Sequence, residues 1–229
     1  MDPHLLDNAV WSSLSGPHAI FAETIGRARR YPMEISPFGA VEDQRDLDCW
    51  NDLHRLIGPG GTVVLTANEL HIPDNWEVIG GGTGQQMTGE DVFGEKYEGV
   101  LVLGVGDVPE MLDLIALTQP GPFTSRTVEL GQYVGFRVGG QLVAMAGCRM
   151  NPQGWVEISA VCTHPSHQRQ GLAARMVRAV VAGMRTEANE PFLHVSAKNV
   201  GAIGLYEKLG FRVRMKSEFR VVKAPNKSP

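Results

Sequence analysis

Cys162-Thr163-His164-Pro165-Ser166-His167-Gln168-Arg169-Gln170-Gly171-Leu172-Ala173 joins an apolar run to the most regular amphipathic stretch of the chain. Before it, Trp155 to Cys162 reads as a strand. After it, Leu172, Met176, Val180 and Met184 recur every four residues, with Ala173, Val177 and Val181 beside them. Arg175, Arg178, Ala182 and Arg185 fall on the other side, so the spacing predicts a helix over Gly171 to Ala188. A strand that delivers its last residues to a helix leaves the first N–H groups of that helix unbonded, and small residues let a bulky anion approach them. Arg169, Arg175 and Arg178 add positive charge nearby. The stretch is a candidate pyrophosphate cradle; its plainer reading is a strand-to-helix turn with Gly171 used for packing.

Working outward, Tyr133 to Val138 and Gln141 to Arg149 flank Gly139 and Gly140, the two-residue mark of a hairpin with a primed turn. Asn151-Pro152-Gln153-Gly154 makes the next reverse turn. Downstream, Phe192 to Ala197 reads as a strand, Gly201 to Leu209 as a short helix stopped by Gly210, and Phe211 to Val222 as a last strand. Upstream, an apolar strand Val100 to Val105 precedes a helix from Val108 to about Leu117, opened by Asp107, Pro109 and Glu110. Three antiparallel strands followed by helix, strand, helix and strand predict an α+β domain: a mixed, mostly antiparallel sheet flanked by helices.

A second stretch runs His194-Val195-Ser196-Ala197-Lys198-Asn199-Val200-Gly201-Ala202-Ile203-Gly204-Leu205-Tyr206-Glu207-Lys208-Leu209-Gly210-Phe211. Here the chain resembles the GCN5-related N-acetyltransferases (GNAT), and more closely their FR47-like subgroup. Gln168 to Ala173 matches that family's (Gln/Arg)-x-x-Gly-x-(Gly/Ala) loop, and Asn199 to Phe211 its Asn-x-x-Ala-x-x-x-Tyr-x-x-x-Gly-Phe pattern. In this order, after a three-strand meander, the two motifs cover about residues 100 to 224. The resemblance implies an acetyl-CoA cofactor, or another acyl-CoA, held in a splay between the Trp155 strand and the Phe192 strand. Its pyrophosphate would rest on the amides of Gln168, Arg169, Gln170, Gly171, Leu172 and Ala173. Backbone groups of Val161, Cys162 and Thr163 would bond the pantetheine arm and the thioester carbonyl. Asn199 would touch the cofactor or cap the Tyr206 helix.

The same resemblance makes Tyr206 the general acid. A thiol has a reference pKa near 8.5 and a phenol one near 10, so the phenol is protonated at neutral pH and able to donate to the departing sulfur. A core aromatic with a satisfied hydroxyl is the alternative. For the base, some relatives place a glutamate five residues before the equivalent of Asn199, where this chain has His194; Glu157 is the rival, and either may be structural instead. Cys162 lies close to the implied thioester, yet direct transfer needs no covalent thiol, and a lone Cys is usually a small buried hydrophobe.

The whole chain has 229 residues, of which 43% are hydrophobic, and a formal charge of -4, too small to argue for a nucleic-acid or membrane-surface partner. The total conceals a split. Residues 1 to 100 hold 6 basic and 16 acidic side chains, a balance of -10, and residues 101 to 229 hold 15 and 9, a balance of +6. The positive half is the one that would carry the phosphates; the negative half would attract a cationic amine or complement its basic neighbour. No run approaches the roughly 18 apolar residues of a membrane span, and Met1 to Leu6 carries Asp2 rather than a basic leader. Cys49, Cys148 and Cys162 lack disulfide or zinc spacing, which makes a reducing cytoplasm the expected location. His164 and His167 lack accompanying ligands, so no metal site is expected. Gly104-Val105-Gly106 lacks the third glycine of a dinucleotide fingerprint, and Gly80 to Gly84 lacks a following Gly-Lys-Ser/Thr and reads as a flexible hairpin.

Residues 1 to 98 carry no catalytic motif. Strands His18 to Thr24, Ala28 to Tyr31 and Ile35 to Val41, helix Leu47 to Ile57 and strand Thr62 to Ala67 repeat the order of the second half, which predicts a degenerate GNAT-like accessory lobe. The expected division is therefore 1–98 for that lobe, 99–224 for the acetyltransferase domain and 225–229 for a tail. The expected activity is acyl transfer to a primary amine of a small molecule or peptide, with a homodimer left open; the rival from another class is a non-catalytic CoA-binding or protein-interaction module.

Overall fold

The computed structural model describes residues 4–226. A 3₁₀ turn, Leu5–Asn8, leads into α1 (Ala9–Leu14) and then a small meander of β1 (Glu23–Ile25), β2 (Ala28–Arg30) and β3 (Gly39–Val41). Next come α2 (Leu47–Ile57), β4 (Thr62–Ala67) and β5 (Glu77–Thr88). The second half contains β6 (Val100–Leu103), α3 (Val108–Thr118), β7 (Tyr133–Val138), β8 (Gln141–Cys148) and β9 (Trp155–Thr163). It ends with α4 (Leu172–Thr186), β10 (Glu190–Ser196), α5 (Val200–Leu209) and β11 (Arg212–Lys223).

Eight of these strands form one sheet in the order β4-β11-β5-β10-β9-β8-β7-β6. Only β9 and β10 run parallel; the other neighbours are antiparallel, so the sheet is mixed and mostly antiparallel, with helices on both faces. Period-two alternation sorts the core. Ile158, Leu193 and Val195 point to the face covered by α4 and α5, where Met176, Val180 and Tyr206 meet them. Phe192 points the other way, onto Leu6, Val10 and Leu14 of the N-terminal turn and helix. On that second face α3 covers Tyr133 and Met145 with Met111 and Leu114, and α2 covers Val63, Leu65 and Val222 with Trp50 and Leu53.

Two expectations for the first half, the glycine cluster and the strand from His18, need correction. The glycine cluster is no flexible hairpin: Gly80 to Gly84 lies within β5, a 12-residue strand that pairs with β10 on one side and β11 on the other. Glycine suits close approach: a Cβ on Gly84 would collide with the Val195 carbonyl oxygen, and one on Gly81 with that of Phe219. Across residue 98 the sheet is continuous, since β4 is hydrogen-bonded to β11, and β5 to both β10 and β11, of the second half. What persists of the repeated order is the meander β1 to β3, helix α2 and strand β4, with a parallel bridge from Phe38 to Val64. The expected strand from His18 is mostly a 3₁₀ turn, Ala19–Phe21. Of the expected tail, Pro225 and Asn226 are described, the former accepting a hydrogen bond from His54 Nε2 at 2.9 Å; residues 227–229 lie outside the described range.

Candidate active site

The site begins where two parallel strands part. β9 and β10 pair only from Trp155 and Glu190 to Glu157 and Phe192, and then diverge, because β9 stays paired with β8 as far as Thr163 while β10 stays paired with β5 as far as Ser196. A bulge sharpens the parting. Ala160 takes a left-handed φ of 52°, and the β8 register shifts beside it. Before the bulge, Val156 and Ile158 pack under α4; after it, Cys162 packs toward α3. The free edge of β9 at Val161 to Thr163 is thereby turned toward the gap.

A cleft of about 780 Å³ fills that gap, bounded by the end of β9, the start of α4 and α5. Nine of the ten expected cofactor residues line it: Val161, Cys162, Thr163, Gln168, Arg169, Gly171, Leu172, Ala173 and Asn199; Gln170 does not. Arg169 at φ 61° and Gly171 at φ 77° give the loop two left-handed turns just before α4. The helical ladder starts only with Arg175 N–H donating to Gly171 O at 3.1 Å, and among the described residues no protein acceptor meets the N–H groups of Leu172, Ala173 and Ala174. A Cβ added at Gly171 would find no protein atom within 4 Å, so the space in front of those amides is open. Thr163 Oγ1 is buried, borders the cleft and has no partner. Unpaired amides at a helix start, an open cradle and an orphaned hydroxyl fit a phosphate-bearing, amide-containing group such as acyl-CoA.

Tyr206 lines the same cleft from α5 and is 8% exposed. Burial, with a smaller contribution from Cys162, pushes its pKa up to about 12, so the phenol is protonated throughout the neutral range. Asn199 caps α5, its Oδ1 accepting the Ala202 N–H at 3.1 Å, and the residue also borders the cleft. Burial likewise raises the Cys162 thiol to about 11, which leaves it a packing group.

Glu157 and His194 sit on the opposite face of the sheet from α4. The Glu157 carboxylate is fully buried and accepts Arg149 Nε at 2.8 Å and Nη2 at 2.7 Å. It also accepts His194 Nδ1–H at 2.8 Å. Burial alone would raise its pKa, but the Arg149 charge and these hydrogen bonds outweigh it and hold the group down to about 2. Such a carboxylate is a poor proton acceptor at neutral pH, and in this network it anchors the imidazole. The other nitrogen, His194 Nε2, lies 3.1 Å from Gln86 Nε2. Gln86 is itself oriented, donating to Leu6 O at 2.8 Å and accepting Arg214 Nη1 at 2.8 Å, so the network favours the tautomer with Nδ1 protonated and Nε2 bearing the lone pair. Gln86, Arg149 and Arg214 escaped the sequence reading. A carboxylate inside an apolar strand signals a buried cationic partner, yet nothing local says which cation.

On this face a separate cavity of about 360 Å³ opens beside His194. The α3 exit loop, Gln119 to Pro122, closes one side, and Phe38, Val64, Phe219 and Val221 form much of its wall. It shares no lining residue with the cleft. His164 and His167 each reach Ser166 Oγ, at 2.7 and 2.9 Å, and among the described residues no three His, Cys, Asp or Glu side chains gather as metal ligands.

Comparison with known proteins accords with this architecture. A family model described as FR47-like protein matches residues 133–221. A crystal structure from Novosphingobium aromaticivorans, assigned to the GNAT-family acetyltransferases, is 38% identical, with a TM-score of 0.88 over 96% of this chain and 98% of that one. A GCN5-related N-acetyltransferase from Kribbella flavida shares the fold at 14% identity and a TM-score of 0.61, over 95% of each chain. No curated protein matches. The splayed sheet and its helix-start cradle define the class, an acyl-CoA N-acyltransferase fold. Within that class, the chain belongs to the GNAT family. Among the described residues no helix is long and apolar enough to cross a membrane.

Proposed function

We propose that this protein transfers the acyl group of acetyl-CoA, or of another acyl-CoA, directly to a primary amine. The observation that carries the reading is the cleft, which is bordered at once by the unpaired α4 amides, the free β9 edge and Tyr206, whose hydroxyl is protonated. The cofactor supplies an acyl thioester, whose C–S bond breaks as the C–N bond forms, the electron pair leaving with sulfur. Residues Gln168 to Ala173 hold the phosphates, and Val161 to Thr163 orient the acyl arm through their backbone. Tyr206, which borders the same cleft, donates to the departing sulfur. At a pKa of about 12 it acts chiefly as a hydrogen-bond donor to the developing thiolate, since full proton transfer to a thiol of pKa near 8.5 runs uphill.

His194 takes the amine proton on Nε2, with Glu157 holding Nδ1–H and stabilising the imidazolium that results. Gln86 occupies Nε2 in the resting protein and must exchange that contact for the substrate. The test is thiol release from acetyl-CoA across a panel of amines, repeated with Tyr206→Phe. The variant is expected to lose about tenfold or more in kcat while its KM for acetyl-CoA stays within about twofold. Tight cofactor binding with no release for any amine would favour a non-catalytic CoA-binding module instead.

A further inference from the structure

We infer that the acceptor is a compact primary amine with a single cationic centre and an uncharged, chiefly apolar body, and that it is bound in the cavity beside His194. The inference rests on the acyl-transfer reading and adds the substrate class. Aromatic and aliphatic side chains, Phe38, Val64, Met150, Phe219 and Val221, make the walls, closed by Pro120 and Pro122. Its polar members besides His194 and Arg149 are neutral: Thr66, Gln119, Ser196 and Ser217. Arg149 carries the only permanent charge among the lining residues, and that charge is spent, forked onto Glu157 and laid 4.8 Å over the Phe38 ring.

Among the described residues no carboxylate lines the cavity, and both oxygens of Glu157 beneath it are engaged by Arg149 and His194. The first-half residues that reach it are Phe38, Val64, Thr66 and Gly84, so the acidic balance of residues 1 to 100 contributes no anion here. The one ammonium that gives its proton to His194 leaves its charge on an imidazolium paired with Glu157. A second ammonium group on the same molecule would be desolvated against apolar walls beside a guanidinium, with nothing to pair it. The volume, about 360 Å³, is at the small end of the range of ligand sites, roughly 300 to 1,000 Å³, which sets the size of the body.

Hexylamine and 1,6-diaminohexane differ at one end only and test this directly. With the full chain and saturating acetyl-CoA, kcat/KM is expected to favour hexylamine by roughly tenfold or more. Thr66→Asp places an anion in the half-buried wall of the cavity and is expected to narrow or invert that ratio by a similar factor. Equal or better use of the diamine by the wild type overturns the inference, as does a ratio unmoved in a folded Thr66→Asp protein. Calorimetric titration of both amines into the CoA complex supplies a readout without turnover. A binding preference for hexylamine with no thiol release removes the acyl-transfer reading and leaves the cavity as a site for apolar monoamines. Equal binding of the two amines, or none of either while CoA binds, overturns the inference; the wild-type titration decides even where Thr66→Asp fails to fold.

Discussion

Burial holds His18 neutral in the folded protein, pulling its pKa down to about 4 from 6.5, while a hydrogen bond with the Leu130 backbone works weakly the other way. Its Nδ1 lies 3.0 Å from the Tyr31 hydroxyl in the core between the N-terminal helix and the sheet. The unfolded chain therefore binds a proton near pH 6.5 that the native protein refuses until about pH 4, so stability is full above 6.5 and declines through that window. Glu157 extends the decline: with its native pKa near 2 against 4.5, its contribution is present above 4.5 and lost toward 2. His18→Gln, followed by urea unfolding at several pH values, is expected to flatten the upper window by up to about 1.4 kcal/mol per pH unit. Wild-type and variant curves running parallel between pH 6.5 and 4 would count against a buried neutral His18. At this scale Tyr206, Asn199 and the cradle were readable because each belongs to a local pattern. Glu157 and His194 were readable only as rivals, since their pairing depends on the register that sets Glu157 opposite Phe192.

Two elements carry predictions of opposite kind. At the start of α4, Gly171 has a left-handed φ and open space where a Cβ would go. Gly171→Ala is expected to cost only about 1–2 kcal/mol of stability yet, on the proposed cofactor reading, to raise the Kd for CoA by about tenfold, because the methyl group enters open space at the start of α4 and strains the left-handed turn that presents its amides. Calorimetry and thermal unfolding on the same sample separate the two, and unchanged affinity would remove the cradle assignment. In β5, Gly84 is pressed against the Val195 carbonyl of β10. Gly84→Ala should therefore destabilise by about 1–3 kcal/mol in urea unfolding, with a neutral result marking a sheet looser there than the structure shows. Helix α4 was legible because amphipathic spacing is a local property that its fold preserves. Strand β5 was not: glycine has a low strand propensity, and what recruits Gly80 to Gly84 into a strand is the presence of β10 and β11 on either side, more than 100 residues along the chain.

Across the whole molecule, the opposite charges of the two halves meet each other. Asp7 pairs with Arg214 at 2.5 Å, Glu34 with Arg126 at 3.1 Å and Asp91 with Arg212 at 2.7 Å, each an acidic residue of the first half on a basic one of the second. Exposed pairs of this kind contribute about 0–1 kcal/mol each, so the union of the halves rests on the shared sheet and on Leu6, Val10 and Leu14 packed against Phe192. A fragment of residues 99–229 would expose the β5-facing edges of β10 and β11 and uncover Phe192. It is expected to aggregate or lack cooperative unfolding in circular dichroism and size-exclusion chromatography; a monomeric, cooperatively folding fragment would show that β5 is dispensable. The sequence by itself determined the family and most helices and strands of the second half, and it singled out the Gln168 to Ala173 loop and Tyr206 that border the cleft, because these are encoded by spacing within one or two elements. Tertiary structure alone decided that the first half completes the central sheet, that Glu157 anchors His194, and that an uncharged cavity adjoins them. Those are contacts between residues as far apart as Leu6, Gln86, Arg149 and Arg214, and only the strand register of the folded sheet brings such residues within hydrogen-bonding distance.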